Sequence, residues 1–401
     1  MNKMVGAVLI GLTVFIGLGL VIANNDPATP AGAAADNVVT EHHVDTGMRQ
    51  GIWISRAAVL KLPTSGPAWN SLKREAERDC GAPNIDNGKT DHNVCIMAKA
   101  LVFTRTGQTS YRSDVVNAIQ SIVDSGTFGP GGTGVGSGAL AMGRELGAFV
   151  IAADLIELPV YNRELDAQFR DKLRELRTTP TEGGGADNLI DCHEKRPNNF
   201  GTHCGATRAA IAVYLGDQKD LERTAQVFKG WLGDRFSYAG FDYGDLYWQC
   251  DPQKPVGINP KSCTKNGHSI DGVLPDDERR AGKFTWPPPK ENYVYEGLQG
   301  ALAQAVILHQ QGYDVWNWED KALLRAFKWL YQEAQFPAEG DDAWQPYVIN
   351  RVYGTDFPTL MPADPGKNVG WTAWTHQARP IRKAQIEFSR RPSAMVARHT
   401  Q

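Results

Sequence analysis

A group of polar side chains lies between two cysteines, directly before an apolar helical stretch. The segment "CHEKRPNNFGTHCGATRAAIAVYLGD" begins at Cys192 and contains Arg196, Asn198 and Asn199. Asn provides amide donors without adding negative charge, and the Arg guanidinium provides a two-pronged donor for a carboxylate. The N-terminus of a helix also favours negative charge, because its free N–H groups and its dipole point outward there. The segment therefore predicts a shell of groups that binds an anion.

Candidate proton-transfer residues occur in and after this segment. His203 follows Asn199 by about one helical turn, and two tyrosines, Tyr293 and Tyr295, lie in "ENYVYEGLQGALAQA". Tyr has an ordinary pKa of about 10, so it acts as a base only with a cation nearby. The sequence "DDERRAGKF" supplies Arg280, preceded by a second arginine, together with a lysine.

Each of these residues also has a structural interpretation. The two asparagines are typical helix caps, and His203 beside a cysteine is compatible with a satisfied structural histidine. The arginine pair is compatible with a solvated surface. A spacing of two residues places Tyr293 and Tyr295 on different helix faces, so we expect at most one of them to reach a cleft and the other to lie in the core.

Three more residues are candidate substrate ligands. Arg144 begins the apolar stretch "RELGAFVIAADLIEL", Asn93 precedes another such stretch, and His268 lies in "KNGHSIDG". Arg144 and Asn93 are equally compatible with capping or ion pairing. The nine histidines show no HExxH or HxH spacing and the chain has no EF-hand loop, so we expect no metal and no cofactor.

The six cysteines fall into three sequence-local pairs with 11 to 14 residues between partners, and none has CxxC spacing. Although six cysteines allow 15 pairings, this pattern predicts three local disulfides in an exported protein. The expected pairs are Cys80 with Cys95, Cys192 with Cys204, and Cys250 with Cys263. The second pair would hold the polar segment in place.

The N-terminus predicts export. Lys3 precedes an uncharged apolar run, Met4–Ala23, which suits either a membrane anchor or a long signal peptide. A small-residue site ending at Ala35 favours cleavage, so the protein is expected to be periplasmic, secreted or anchored, with membrane contact only through an uncleaved segment. A formal net charge of −3 provides no basic field for nucleic acid. The expected division is a signal peptide or anchor over 1–23, a flexible linker over 24–46, a helical domain over 47–376 and a basic tail over 377–401.

Helical periodicity dominates from Asp91 onward, with few runs of strict alternation, so the chain is predicted to be all-α. A weak repeat of an apolar helix, a turn and an amphipathic helix indicates antiparallel helical hairpins in an array or closed ring. The long irregular stretch Ala239–Lys290 interrupts this pattern. Loops of that length in a compact domain are usually functional.

Two motifs resemble those of alginate-lyase-like polysaccharide lyases. "RPNNFGTHCGATRAAIAVYLGD" resembles the family's Asn-Asn motif region. "DGVLPDDERRAGKF" followed by "ENYVYEGLQGALAQA" resembles its later motif, in which an Arg and a Tyr precede a cleft helix. The resemblance covers roughly residues 90–335. It implies an incomplete (α/α) toroid, an acidic polysaccharide as partner and eliminative cleavage of a uronic-acid-containing polymer by a monomer.

The resemblance also implies roles for single residues. Phe200 occupies the position where the family usually has a His, so His203 is the expected replacement, and Tyr293 is preferred to Tyr295 because it lies nearer its helix start. The expected catalytic residues are Asn199, His203, Tyr293 and Arg280. The expected substrate-binding residues are Asn198, Arg196, Arg144, Asn93, His268 and Tyr295.

Two other function classes remain open at this point. A glycoside hydrolase on a similar toroid would need two carboxylates about 5–9.5 Å apart. The available acids are Asp245, Asp271, Glu291 and Glu296, and no pair stands out. A non-catalytic glycan-binding envelope protein would keep an aromatic cleft but need no proton donor. The 11 tryptophans suit either a sugar-binding cleft or a large core, and we expect the core to take most of them.

Overall fold

The computed structural model describes residues 50–125, 138–181 and 188–377. These residues belong to one compact unit. The predicted N-terminal segment and linker, and residues 378–401 of the predicted tail, lie outside the described residues.

Helices make up nearly all of the regular structure in the described ranges, which confirms the all-α prediction. The α-helices are α1 (Arg56–Val59), α2 (Pro67–Glu77), α3 (His92–Thr106), α4 (Thr109–Asp124), α5 (Gly138–Leu155), α6 (Leu158–Tyr161), α7 (Arg163–Leu176), α8 (Leu189–Lys195), α9 (Asn199–Leu215), α10 (Gln218–Leu232), α11 (Pro275–Glu278), α12 (Tyr293–Gln310), α13 (Trp318–Lys328), α14 (Gln345–Tyr353) and α15 (Thr372–Thr375). Short 3₁₀ or π turns cover Arg279–Ala281, Val315–Asn317, Trp329–Glu333 and Gly340–Asp342. One antiparallel hairpin pairs β1 (Thr264–Lys265) with β2 (His268–Ser269).

The longer helices are of two kinds that alternate along the chain. Helices α3, α5, α9 and α12 are mostly apolar around their whole circumference and almost fully buried, and we call them the inner row. Helices α2, α4, α7, α10 and α13 have one apolar and one polar face, which is typical of helices that cover a core and face water. Within the inner row, α3 packs on α5, α5 on α9, and α9 on α12. The hydrophobic core therefore lies along this row.

Two glycines allow the inner helices to approach closely. A Cβ added at Gly143 of α5 would collide with the backbone of Cys204 on α9, and one added at Gly300 of α12 would collide with the backbone of Thr202. Helix α9 is thus held between its two neighbours at the peptide groups on either side of His203. This contact fixes the depth and direction of the His203 side chain.

The C-terminal segment joins the end of the inner row to its beginning. The indole N–H of Trp371 donates to the carbonyl of Val94 on α3 at 3.1 Å, and that of Trp374 donates to the Pro63 carbonyl at 2.8 Å. Helix α15 also packs on α14 and α2, and α14 packs on α12. Residues beyond α12 therefore bridge back to the first helices.

The structure confirms all three predicted disulfides, Cys80–Cys95, Cys192–Cys204 and Cys250–Cys263. The first ties the segment after α2 to α3, the second ties α8 to α9, and the third lies within the irregular stretch 239–290. Such bridges are typical of extracellular or periplasmic proteins. A search of the described helices finds none with the length and apolar character needed to cross a membrane.

Candidate functional site

Four charged side chains from separate parts of the chain meet beside the inner row, and we call them the ionic cluster. Arg144 of α5 places its Nη2 atom 2.6 Å from Oε2 of Glu296 on α12. Lys367 forms an ion pair with the other oxygen of Glu296, and its Nζ lies 3.3 Å from Asp341. Glu296 is buried, with only 3% of its surface exposed. Two cations therefore compensate the cost of burying this carboxylate.

His203 lies next to the ionic cluster. Its Nε2 atom is 3.9 Å from Glu296, and neither ring nitrogen has a hydrogen-bond partner among the described residues. Complete burial lowers the pKa of His203 well below its ordinary 6.5, and the charges of Arg144 and Lys367 lower it further. The imidazole is therefore neutral near pH 7 and has a lone pair available to accept a hydrogen bond.

Tyr293 provides an accessible hydroxyl at the same place. It is the first residue of α12 and is 40% exposed. The guanidinium carbon of Arg280 lies 4.1 Å from the centre of its ring, and Arg144 interacts with it electrostatically. The structure thus brings the predicted residues Tyr293, Arg280, His203 and Arg144 to one region.

The two neighbouring asparagines have different environments. Asn198 caps α9, because its Oδ1 accepts the Phe200 N–H at 3.2 Å, and its Nδ2 donates to Asp276 at 3.1 Å. Asn199 is fully buried, and neither atom of its side-chain amide has a partner among the described residues. The structural interpretation therefore holds for Asn198, whose polar atoms are occupied, and the expectation that it binds substrate is corrected. Asn199 keeps a free donor and a free acceptor.

Buried acids lie behind the asparagines. The backbone N–H of Asn199 donates to Asp277 at 3.1 Å. Burial, and then the neighbouring Asp276, raise the pKa of Asp277 well above its ordinary value, against the opposing effects of that N–H and of the arginines. Burial also raises the pKa of Glu278 to about 9, with a contribution from Glu291. Glu278 is therefore protonated near pH 7, and the same burial favours the neutral form of Asp277.

Asn93 holds the ionic cluster in place. Its Nδ2 donates to the backbone carbonyl of Arg144 at 3.0 Å and to that of Lys367 at 2.8 Å. This single amide fixes the relative position of two cations that lie far apart in sequence. The expectation that its amide N–H group binds substrate is therefore corrected to a positioning role.

Three other predicted ligands lie elsewhere. Tyr295 is 1% exposed and its hydroxyl donates to the Phe336 carbonyl at 2.5 Å, so it is a core residue and not a substrate ligand. Arg196 ends α8 and lines a small cavity on the side of α9 that faces Phe228 and Trp231. His268, on β2, stacks on Trp286 at a ring separation of 4.3 Å within the irregular stretch.

Sequence reasoning missed Lys367 and Asp341, and considered Glu296 only as a possible hydrolase acid. Lys367 and Asp341 follow the end of the recognised motifs, and no local pattern distinguishes them. Of the other hydrolase acids, Asp271 is bound to Arg325 at 2.6 Å. No group of three or more His, Cys, Asp or Glu side chains suited to a metal is found in the part of the chain that the structure describes.

The sequence matches no protein-family model and has no significant match among curated proteins. The functional argument therefore depends on the geometry of the site.

Proposed function

We propose that the protein is an exported polysaccharide lyase that cleaves a uronic-acid-containing polymer by β-elimination. The observation that carries the proposal is the meeting of a neutral buried His203 and an exposed Tyr293 at the ionic cluster. Three cations, Arg144, Lys367 and Arg280, lie at the described site together with the carboxylates of Glu296 and Asp341 and, beside Tyr293, that of Glu291, which accepts the Tyr293 N–H at 3.1 Å. Cations that keep unpaired donors suit an anionic substrate.

The arrangement of helices supports an incomplete (α/α) toroid as the scaffold. Inner and outer helices alternate along the chain, and the segment after α12 returns to α2 and α3. In such a ring the inner helices open onto a common cleft. The N-terminal ends of α9 and α12 carry Asn199 and Tyr293; Tyr293 is exposed and would face that cleft, whereas Asn199 is fully buried and would lie beneath it.

Free donors are available to bind the uronate carboxylate. Arg144 uses Nη2 for Glu296, while its Nε has no partner among the described residues. The Asn199 amide is equally unpartnered. An unpaired buried donor costs about 1–3 kcal/mol, and a bound carboxylate would relieve that cost. We assign carboxylate binding to Arg144 and Asn199. The same contacts stabilise the negative charge that develops on the uronate when the proton next to its carboxylate leaves.

Tyr293 is assigned the proton transfers. It removes the proton from C5 of the uronate, the electrons of that bond form the C4=C5 double bond, and the C4–O bond breaks. The leaving oxygen then receives the proton. Tyr293 acts as the phenolate, whose negative charge Arg280 and Arg144 stabilise before the proton is taken and again after it is passed to the leaving oxygen, and the neutral His203 accepts a hydrogen bond within the site.

The test is a panel of uronate polymers, mannuronan, guluronan and polygalacturonate among them, measured for new reducing ends and for the ultraviolet absorbance of the unsaturated sugar. We expect both signals from the wild type and neither from Tyr293→Phe. Tyr161→Phe is the matched control, because Tyr161 is also exposed and lies under a guanidinium, that of Arg112, at 3.6 Å. Reducing ends without unsaturated product would indicate a hydrolase. Binding without either signal would indicate a glycan-binding protein.

A further inference from the structure

The irregular stretch 239–290, called the insertion from here on, forms an open cavity of about 540 Å³. Its lining includes Asp245, Tyr247, Lys265, Lys283 and Phe284. Pockets that bind small molecules are typically about 300–1,000 Å³. The cavity therefore has the size of a ligand site, and the proton-transfer chemistry proposed above does not use it.

Cations and aromatic rings line the cavity together. Lys283 Nζ lies 6.0 Å from the centre of the Tyr247 ring, which is 37% exposed, and Lys265 Nζ lies 5.9 Å from the centre of the Phe284 ring. The one acid named in the lining, Asp245, interacts electrostatically with Arg279. An exposed ring beside two ammonium groups suits a ligand with a flat hydrophobic face and a negative charge.

The described ion pairs at the insertion leave these lysines out. Asp276 is paired with Arg279 at 2.9 Å, and Asp271 is paired with Arg325 at 2.6 Å. Lys265 donates only to a backbone carbonyl, that of Gln249, at 3.2 Å. Its ammonium thus keeps donors for a ligand.

The walls of the cavity are held in place. The buried Trp248 donates to the Gly282 carbonyl at 3.2 Å and packs on Phe284 with ring centres 4.8 Å apart. The disulfide Cys250–Cys263 closes the chain segment between Tyr247 and the hairpin. A site held in this way loses little conformational entropy on binding.

A short hydrogen-bonded path connects the cavity to the candidate active site. The N–H of Gly244, which lines the cavity, donates to Asp276 at 2.9 Å. The same carboxylate accepts from Asn198, the residue before Asn199, at 3.1 Å. The wall of the cavity and the N-terminal end of α9 are therefore held together through the Asp276 carboxylate.

We propose that the insertion cavity binds a second acidic sugar unit of the polymer, away from the bond that is cleaved. Lys265 and Lys283 bind its carboxylate, and the ring of Tyr247 stacks on its hydrophobic face. The identity of the ligand as part of a uronate polymer rests on the proposed function. The recognition of an acidic sugar by this cavity rests on its own lining.

The test is calorimetric binding of uronate hexasaccharides and disaccharides, with Tyr293→Phe as the background so that no substrate is consumed. Lys283→Gln and Tyr247→Ala should each weaken hexasaccharide binding about fivefold or more and leave disaccharide binding unchanged. Lys254→Gln is the matched control, since Lys254 is an exposed lysine of the same insertion outside the cavity lining. Cellohexaose, a neutral hexasaccharide, should bind more weakly than the uronates.

Three results would overturn the inference. The cavity variants could bind the hexasaccharide as tightly as the Tyr293→Phe background does, the background could bind no uronate at all, or the variants could lose affinity equally for neutral and acidic hexasaccharides. The proposed function fails separately. If the wild type forms no unsaturated product while the cavity variants lose uronate binding, the lyase proposal is wrong and the cavity stands. If the wild type forms unsaturated product and the cavity variants bind uronates normally, the lyase proposal stands and the cavity inference is wrong.

Discussion

The pair Asn198 and Asn199 offers the sharpest test of the site, because the structure gives opposite expectations for two adjacent residues of the same type. Asn199→Ala removes a buried amide whose side-chain atoms have no partner among the described residues. Removing it relieves a desolvation cost of about 1–3 kcal/mol and forfeits packing of about the same size. The free energy of unfolding should therefore change by no more than about 1 kcal/mol.

Turnover should respond differently. If Asn199 donates to the uronate as charge develops, its loss should lower kcat by about 100- to 1,000-fold, equivalent to about 2.7–4 kcal/mol in the transition state. An Asn199→Leu variant, which keeps the shape and removes the polar atoms, should be as inactive and at least as stable as Asn199→Ala.

Asn198→Ala should show the reverse pattern. It removes a helix cap, worth about 1 kcal/mol, and a hydrogen bond to the Asp276 carboxylate, worth about 1.5–3 kcal/mol. The unfolding free energy should fall by about 2–4 kcal/mol. Turnover of the folded fraction should change only a fewfold.

Both variants are measured by urea unfolding and by formation of unsaturated product on whichever polymer the wild type cleaves. The reasoning is refuted if Asn199→Ala keeps full turnover and loses stability. In that case Asn199 is a structural residue, and carboxylate binding must be sought at Arg144 alone.

The remaining predictions concern the core, the buried His and acid, and one disulfide. Tyr295→Phe should cost about 1 kcal/mol of stability and leave turnover nearly unchanged, and an inactive but folded variant would contradict its placement in the core. His203→Gln should lower kcat by roughly 100-fold and alter the pH–rate profile, whereas an unchanged profile would remove His203 from the chemistry. Burial raises the pKa of Glu145 to about 9, above its unfolded value, so its contribution to stability is fully present below about pH 4.5 and is lost as pH rises toward 9. Glu145→Gln should therefore raise the free energy of unfolding by about 3 kcal/mol at pH 7 and leave it unchanged at pH 4. Equal effects at the two pH values would be inconsistent with a buried neutral acid. Reducing Cys192–Cys204 should lower activity before helical circular dichroism is lost, and finding six reactive thiols in the unreduced protein would exclude the bridge.

Local rules predicted the helices because their causes are local. The apolar stretch after Asp91 runs to Gly107, a residue type that favours the left-handed end of a helix, and α3 ends at Thr106 with Gly107 in that conformation at φ 75°. The return of the C-terminal segment had no such signal. Asn93 and Lys367 are 274 positions apart, and a hydrogen bond between them leaves no periodicity in either segment.

The sequence predicted the environment of a site residue only where helical geometry alone determines the direction of its side chain. A spacing of two on a helix turns a side chain by about 200°, so Tyr293 and Tyr295 had to face different ways, and the structure places the first at the surface and the second in the core. Asn198 and Asn199 have no comparable distinction in sequence. Which of them caps α9 depends on where the helix begins and on Asp276, a residue 78 positions away.

The ionic cluster shows that net charge does not report the local charge at the candidate site. The chain has a formal net charge of −3, yet Arg144, Lys367 and Arg280 meet at one place. Glu296 does not occupy every donor of Arg144, because it engages Nη2 and leaves Nε without a described partner. Its carboxylate instead holds Arg144 and Lys367 apart from each other and in fixed positions. A substrate carboxylate can then bind Arg144 without displacing Glu296, which is the condition an anion site must meet if its own buried acid is to remain in place.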